Sequence, residues 1–337
     1  VLDDRLLVIQ AEGGREVRSA ADFEGRRREI RSFLTELLAE LPKHRQALDA
    51  RFERRAETDD YTRHSVSYFV EPGERVTAFL CVPRKASQPM PAILCMHQTV
   101  PQGKLEPVGL EGDPTMAFAD RYARMGYATL APDCKLAGER QVCGYPAYDT
   151  RPFHVLEPQW SYMAKMLWDH MGALDFLASL PFVDSGRLGC IGHSLGAYNG
   201  FFLAAFDERV QACVASCGFV PLSADENPRR WCRDNWCVHL PRLRPYIDRG
   251  EIPFDFHHVF SLVAPRALLL ITGLGDHIFP KTEHCDESFK KAMRVYELLG
   301  APDRLAHFVH DKGHSVPPEA QAQADAWLSR WLSEGAG

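Results

Sequence analysis

Residues Leu188-Gly189-Cys190-Ile191-Gly192-His193-Ser194-Leu195-Gly196-Ala197 form a short apolar run that enters Gly-x-Ser-x-Gly and leaves into a helix-forming stretch, Ala197–Phe206. A strand, this pattern and a helix together make a nucleophile elbow. The serine sits on a tight corner, so the positions two before and two after it must lack side chains that would collide; Gly192 and Gly196 meet that need. The corner stores on the order of 1–3 kcal/mol of backbone strain. It also lifts the hydroxyl to the start of a helix, whose free N–H groups favour negative charge.

Strand and helix signals alternate on both sides of the elbow. Strands are expected at 61–70 and 74–84, joined by the turn Glu71-Pro72-Gly73-Glu74, and at 92–96, 127–133, 188–193, 209–217, 267–272 and 304–310. Helices are expected near 115–125, 160–180, 197–206, 282–299 and 318–333. Such alternation predicts an α/β fold, a mostly parallel eight-stranded sheet flanked by helices. An N-terminal helix over 17–41 places Ile30, Phe33, Leu34, Leu37, Leu38 and Leu41 at helical spacing, with Pro42 just beyond. The chain then divides into a helical extension over 1–60 and one domain over 61–337. The exposed face of the extension could cover the sheet or join two copies. The Arg26-Arg27-Arg28 run is expected on the solvated side of that helix.

The stretches 97–114 with 134–159, and 219–263, are too long to be simple connections. The stretch 219–263, rich in proline, arginine and aromatic residues, reads as a small lid after the sixth strand. Its Trp231 and Trp236 are candidates for stacking on a sugar or ring of the substrate, or for packing within the lid.

A serine hydroxyl needs an adjacent base, and the base needs a group that fixes its tautomer. The order here is Ser, acid, His. Gly275-Asp276-His277 follows the seventh strand, and His310-Asp311-Lys312-Gly313-His314 follows the eighth. Ser194, Asp276 and His314 are therefore the candidate catalytic set. His314 is preferred over His310 because His310 ends a strand whereas His314 lies in the loop behind a permissive glycine. His277 is expected to face away, and His193 to be packed or hydrogen-bonded. Oxyanion donors are expected from the backbone N–H groups of Leu195 and Gln98, the latter in the loop Met96-His97-Gln98-Thr99 after the third strand.

These pieces, with Ala131-Pro132-Asp133, Gly138-Glu139-Arg140 and Ala264-Pro265-Arg266, resemble the α/β-hydrolase superfamily. They resemble more narrowly its acetyl xylan esterase-like and dienelactone hydrolase-like branch, over roughly residues 60 to 333. Two departures matter. Many relatives carry His-Gly where this chain has His97-Gln98, which implies a less open oxyanion loop. Dienelactone hydrolases use a cysteine nucleophile, so Ser194 favours ester over dienelactone chemistry. Asp133 and Arg140 are expected as an ion pair bracing the site.

The resemblance implies a serine ester hydrolase working through an acyl-enzyme, with a small-molecule ester as its partner and no cofactor; the compact, mixed polar-aromatic lid suggests small, acetyl-type acyl groups. The same triad could serve a lactone, an amide or a carbon–carbon bond, since fold does not set substrate. A binding protein on the same scaffold is the alternative of another class. A formal charge of −6 with mixed signs lacks the concentrated basic face of a nucleic-acid binder. No apolar run is long enough to span a bilayer, so no membrane partner is expected. Ten cysteines scattered along the chain, several of them inside expected buried strands, suit a reducing, cytoplasmic compartment; whether a targeting segment precedes Val1 stays open, as does a homo-oligomer. Cys232, Cys237 and His239 lack the second Cys-x-x-Cys pair of a metal site, so no metal is expected.

Overall fold

The strand β6 (Met90–Met96) is buried along all but one of its residues, and it lies at the centre of the molecule. An apolar run of this kind is stable only with both faces covered. The computed structural model describes residues 8–9, 15–39, 41–42, 46–85 and 89–333. Two short strands, β1 (Val8–Ile9) and β2 (Arg15–Glu16), pair in a sheet of their own. The main sheet has nine strands in the order β11-β10-β9-β8-β6-β7-β5-β4-β3. They are β3 (Arg51–Glu57), β4 (Tyr61–Glu71), β5 (Glu74–Pro83), β6, β7 (Ala128–Pro132), β8 (Val183–His193), β9 (Val210–Ser216), β10 (Ala267–Gly273) and β11 (Leu305–His310). From β7 to β11 neighbouring strands are parallel; β3, β4 and β5 join antiparallel.

The strand β3 makes the sheet nine-stranded rather than eight. All seven of its residues are exposed, and the charges of Arg51, Glu53, Arg54, Arg55 and Glu57 protect an edge from pairing with other chains. It pairs with β4, so a boundary at residue 60 falls between two bonded strands.

The N-terminal helix α1 (Ala20–Leu38) buries Phe23, Ile30, Leu34, Leu37 and Leu38. Its Arg27 donates to the carbonyls of Leu262 (3.1 Å) and Ala264 (2.9 Å), and Arg31 to that of Phe206 (2.9 Å). These carbonyls close the helices α5 (Leu195–Phe206) and α7 (Phe256–Val263), where cations satisfy the unpaired acceptors. The apolar face is thus covered within the chain. The arginine run is not uniformly solvated either: Arg26 is fully buried beside Glu29, at 2.7 Å.

The helices α2 (Phe118–Arg124), α4 (Tyr162–Ser179), α5, α7, α8 (Cys285–Leu298) and α9 (Pro318–Leu332) cover the sheet, while α3 (Arg151–Leu156) and α6 (Arg244–Asp248) lie in the connections. Every residue of α7 is buried, and it is the crossover helix between β9 and β10. The lid expected over 219–263 therefore ends before α7.

The anticipated Asp133–Arg140 carboxylate pair is replaced by a network. Asp133 pairs with Lys104 and accepts from Thr77 Oγ1 at 2.8 Å. Arg140 donates to the Asp133 backbone carbonyl at 3.0 Å and pairs with Asp169 at 2.8 Å and with Glu74.

Four buried histidines, His97, His170, His193 and His239, are held neutral, chiefly because burial penalises their charged form; His170 and His239 are pushed down to about 3. Below an ordinary pKa of 6.5 the unfolded chain binds protons that the folded one refuses, so the stability these groups support is complete above that pH and declines as pH falls toward their folded values. Melting temperature is expected to drop steadily from pH 7 to pH 5; a flat or rising profile contradicts this burial. At the elbow, a Cβ at Gly192 would collide with the backbone of Gly196. Gly192→Ala should cost about 1–3 kcal/mol or more in urea unfolding, against about 0.5 kcal/mol or less for Gly186→Ala in the same strand. Equal costs would remove the steric argument.

Candidate active site

Five loops at the carboxyl ends of β6, β8, β9, β10 and β11 converge on one edge of the sheet, where open α/β sheets hold their chemistry. Ser194 lies between β8 and α5 with φ 53° and ψ −115°, a region L-residues rarely occupy. Its N–H is anchored on the Ser216 carbonyl at 2.8 Å. A Cβ at Gly196 would strike the Met96 carbonyl, so this glycine lets the loop after β6 pass against the first turn of α5. Leu195 opens that helix, and its N–H is one of the donors with no intrahelical acceptor.

The loops after β10 and β11 are bonded to each other. Leu274 N–H donates to the His310 carbonyl (2.7 Å), and Gly313 N–H to the Leu274 carbonyl (3.1 Å). Gly273 is in turn so close to the Gly313 carbonyl that a side chain would not fit. This clamp sets Asp276 against His314, with Oδ2 accepting from His314 Nδ1 at 2.6 Å. The other carboxylate oxygen accepts from the N–H groups of Ile278 (2.7 Å) and Phe279 (2.9 Å). Each carboxylate oxygen is therefore engaged, and the imidazole is left with Nε2 as its acceptor.

His310 differs. It is buried, its Nδ1 accepts from the Lys312 N–H at 3.2 Å, and it does not line the cavity around Ser194. His193 contacts Ser216 Oγ through Nδ1 at 3.1 Å and packs under His314, with ring centres 4.5 Å apart. His277, expected to face away, instead lines the cavity, 6.0 Å from the His314 ring.

Gln98 is tied on several sides. Its side chain donates to Glu106 Oε1 at 3.0 Å, and its carbonyl lies 2.7 Å from His97 Nδ1. His97 Nε2 accepts from the Cys134 N–H at 3.0 Å. The neutral ring therefore carries its proton on Nδ1 and braces the loop after β6 against the loop after β7.

A cavity of about 360 Å³ joins Ser194, His314 and Gln98 to the segment after β9. Trp231 and Trp236 both line it, in different ways. Trp231 is buried among Tyr198, His239 and Phe256 and forms the floor. Trp236 is exposed at the rim, its Nε1 donating to the Ala147 carbonyl at 2.8 Å. The sequence did not single out Tyr198, Arg230, Arg233, Ile278 or Phe279, which also line the cavity. No local motif marks them, although an arginine- and aromatic-rich insertion was a signal for Arg230 and Arg233.

Among the described residues, one group could offer three atoms to a metal ion: Cys217, Asp276 and His314, with ligand atoms within 4.8 Å of one another. Burial and the Asp276 charge push the Cys217 thiol up to about 11, so it stays protonated. Asp276 and His314 already hold each other, so this cluster is built around a proton. Cys237 Sγ lies 3.5 Å from His239 Nε2, which the Tyr198 hydroxyl also meets at 2.7 Å; Cys232 is outside the metal-competent group. All ten cysteines are free, and all but Cys143 are buried. Among the described residues no helix is long and apolar enough to cross a membrane.

Comparison with known proteins agrees with this architecture. The Bacillus subtilis (strain 168) protein YtaP, whose name assigns it to the hydrolases, is 27% identical over 310 residues, spanning 91% of this chain and 100% of YtaP. A glucuronoyl esterase from Solibacter usitatus superposes with a TM-score of 0.77 at 21% identity, covering 96% of each chain. A Bacteroides fragilis protein described as an acetyl xylan esterase gives 0.70 at 20% identity, over 91% of this chain and 86% of its own. With an elbow, a mostly parallel sheet and a model match over residues 15–326, the chain belongs to the Abhydrolase family, Abhydrolase_7.

Proposed function

We propose that this protein is a serine carboxylic ester hydrolase that acts on small-acyl esters through an acyl-enzyme. That it is an enzyme of the esterase type is supported by the family match and by the esterases that share its fold. The observation that carries the finer reading is the 2.6 Å bond between Asp276 and His314 beside a strained serine on the same cavity wall.

Asp276 fixes the His314 tautomer with its proton on Nδ1, so Nε2 is the base for the Ser194 hydroxyl. Ser194 Oγ attacks the acyl carbon as its proton passes to His314. The N–H groups of Leu195 and Gln98 hold the oxyanion, each typically worth about 3–4 kcal/mol in such sites. His314 returns the proton to the departing alkoxide, and water, activated by the same base, releases the acid. The Gln98 contribution is a main-chain one, because its side chain is held by Glu106.

A volume of about 360 Å³ is near the lower end for ligand pockets and favours a short acyl group. Trp231 and Phe279 offer it apolar walls, and Trp236 offers a face to a ring on the alcohol side.

Ser194→Ala is expected to lower turnover on the order of 10⁴-fold or more with little change in melting temperature. His314→Ala should be at least about a hundredfold more damaging than His310→Ala; comparable losses would reassign the base. On p-nitrophenyl esters of increasing acyl length, serine-dependent kcat/KM should fall steeply beyond short chains. A rate that rises with chain length contradicts the small-acyl reading, and no serine-dependent hydrolysis of any ester overturns the esterase reading itself.

A further inference from the structure

The cavity holds an electrostatic asymmetry that ester hydrolysis does not require. No aspartate or glutamate is among its described lining residues, yet two arginines are, in a chain whose formal charge is −6. Arg230 is already neutralised. Its guanidinium forks onto Asp225 at 2.7 and 3.0 Å, donates to the Ile278 carbonyl, and lies over the Phe279 ring.

Arg233 is different. Its guanidinium carbon lies 5.4 Å from the centre of the Trp236 ring, and among the described residues no carboxylate pairs with it. The carboxylate next to it in sequence, Asp234, is taken by Arg244. Arg244 also donates to the backbone carbonyls of Cys232 and Arg233. The Arg233 main chain is therefore fixed from outside, and its side chain lies along a tryptophan that the Ala147 carbonyl holds in place. Its charge is felt inside: burial is the main cause that holds the cavity-lining His239 neutral, and the Arg233 charge adds to it.

A half-buried, unpaired guanidinium in a cleft focuses a positive field where a substrate enters. Its planar fork matches a carboxylate. We propose that Arg233, backed by Trp236, is the recognition site for a carboxylate on the substrate, so that the preferred esters are half-esters or esters of carboxylated alcohols. This specificity rests on the ester-hydrolase reading above.

Two substrate pairs test it by carrying the charge on opposite sides of the scissile bond: 4-acetoxybenzoate with its methyl ester, and p-nitrophenyl hemisuccinate with p-nitrophenyl methyl succinate. After correction for alkaline reactivity, the acidic member of at least one pair should have the higher kcat/KM by about tenfold, the scale of a hydrogen bond to a charged group. The ratio should shrink at high salt and fall toward unity in Arg233→Gln. Hydrolysis of neutral esters with no acidic preference in either pair, or a preference that survives Arg233→Gln, overturns the proposal and leaves the esterase reading standing. Calorimetric binding of 4-hydroxybenzoate and of its methyl ester to Ser194→Ala gives a readout without turnover. Tighter binding of the acid, lost when Arg233→Gln is added, supports the carboxylate site even if no ester tested is cleaved; equal binding of the two, with no acidic preference in the hemisuccinate pair, overturns it.

Discussion

The approach of Gly196 to the Met96 carbonyl is the contact on which the functional edge of the sheet depends. It joins the turn after β8 to the loop after β6 with no side chain between them. Ser194 can then take a conformation that would be unfavourable alone, because the Ser216 carbonyl holds its N–H and the start of α5 follows at once. The oxyanion donors proposed above are brought together by the same contact: Leu195 belongs to one side of it and Gln98 to the other. A side chain at Gly196 would push apart both the turn and the loop, so one steric constraint governs the proposed nucleophile and the proposed oxyanion donors together.

The second clamp, between the loops after β10 and β11, is independent of the first and has a similar character. Backbone hydrogen bonds and the bare Gly273 bring the loops into contact, and the Asp276–His314 bond follows from that registration. Neutral histidines complete the support. His97 ties two loops together through its ring nitrogens and His193 packs its ring beneath His314, and burial keeps both from charging. The groups proposed to react thus sit on a frame braced from several sides, which is what pre-organised electrostatic catalysis requires.

What the sequence disclosed and what it withheld divide along physical lines. The elbow, the acid loop and the histidine loop were legible because each is a short backbone motif whose glycines have local reasons. The order Ser, acid, His then placed them on successive strand ends. The strand β3 was not legible because its seven exposed residues, five of them charged, lack an apolar alternation. The helix α7 was merged into the lid because it is only eight residues long: Phe256, Val259, Phe260 and Val263 fall at helical spacing, but the run is too short to stand out from the aromatic-rich stretch before it. Arg26 and the partners of Asp133 and Arg140 depend on residues remote in sequence, as does the cavity lining, which gathers residues from several separate segments. His277 shows the limit of reading a turn from its neighbours: expected to face away beside Asp276, its side chain lines the cavity.

The central claim is that this frame makes one serine nucleophilic. The most direct measurement is intact-protein and peptide mass spectrometry after exposure to a fluorophosphonate, which reacts with an activated serine and is inert toward ordinary hydroxyls. The account predicts a single adduct per chain, on Ser194, formed by folded protein, absent after denaturation and strongly slowed in His314→Ala. No adduct on Ser194, or labelling there at the same rate without His314, would contradict it.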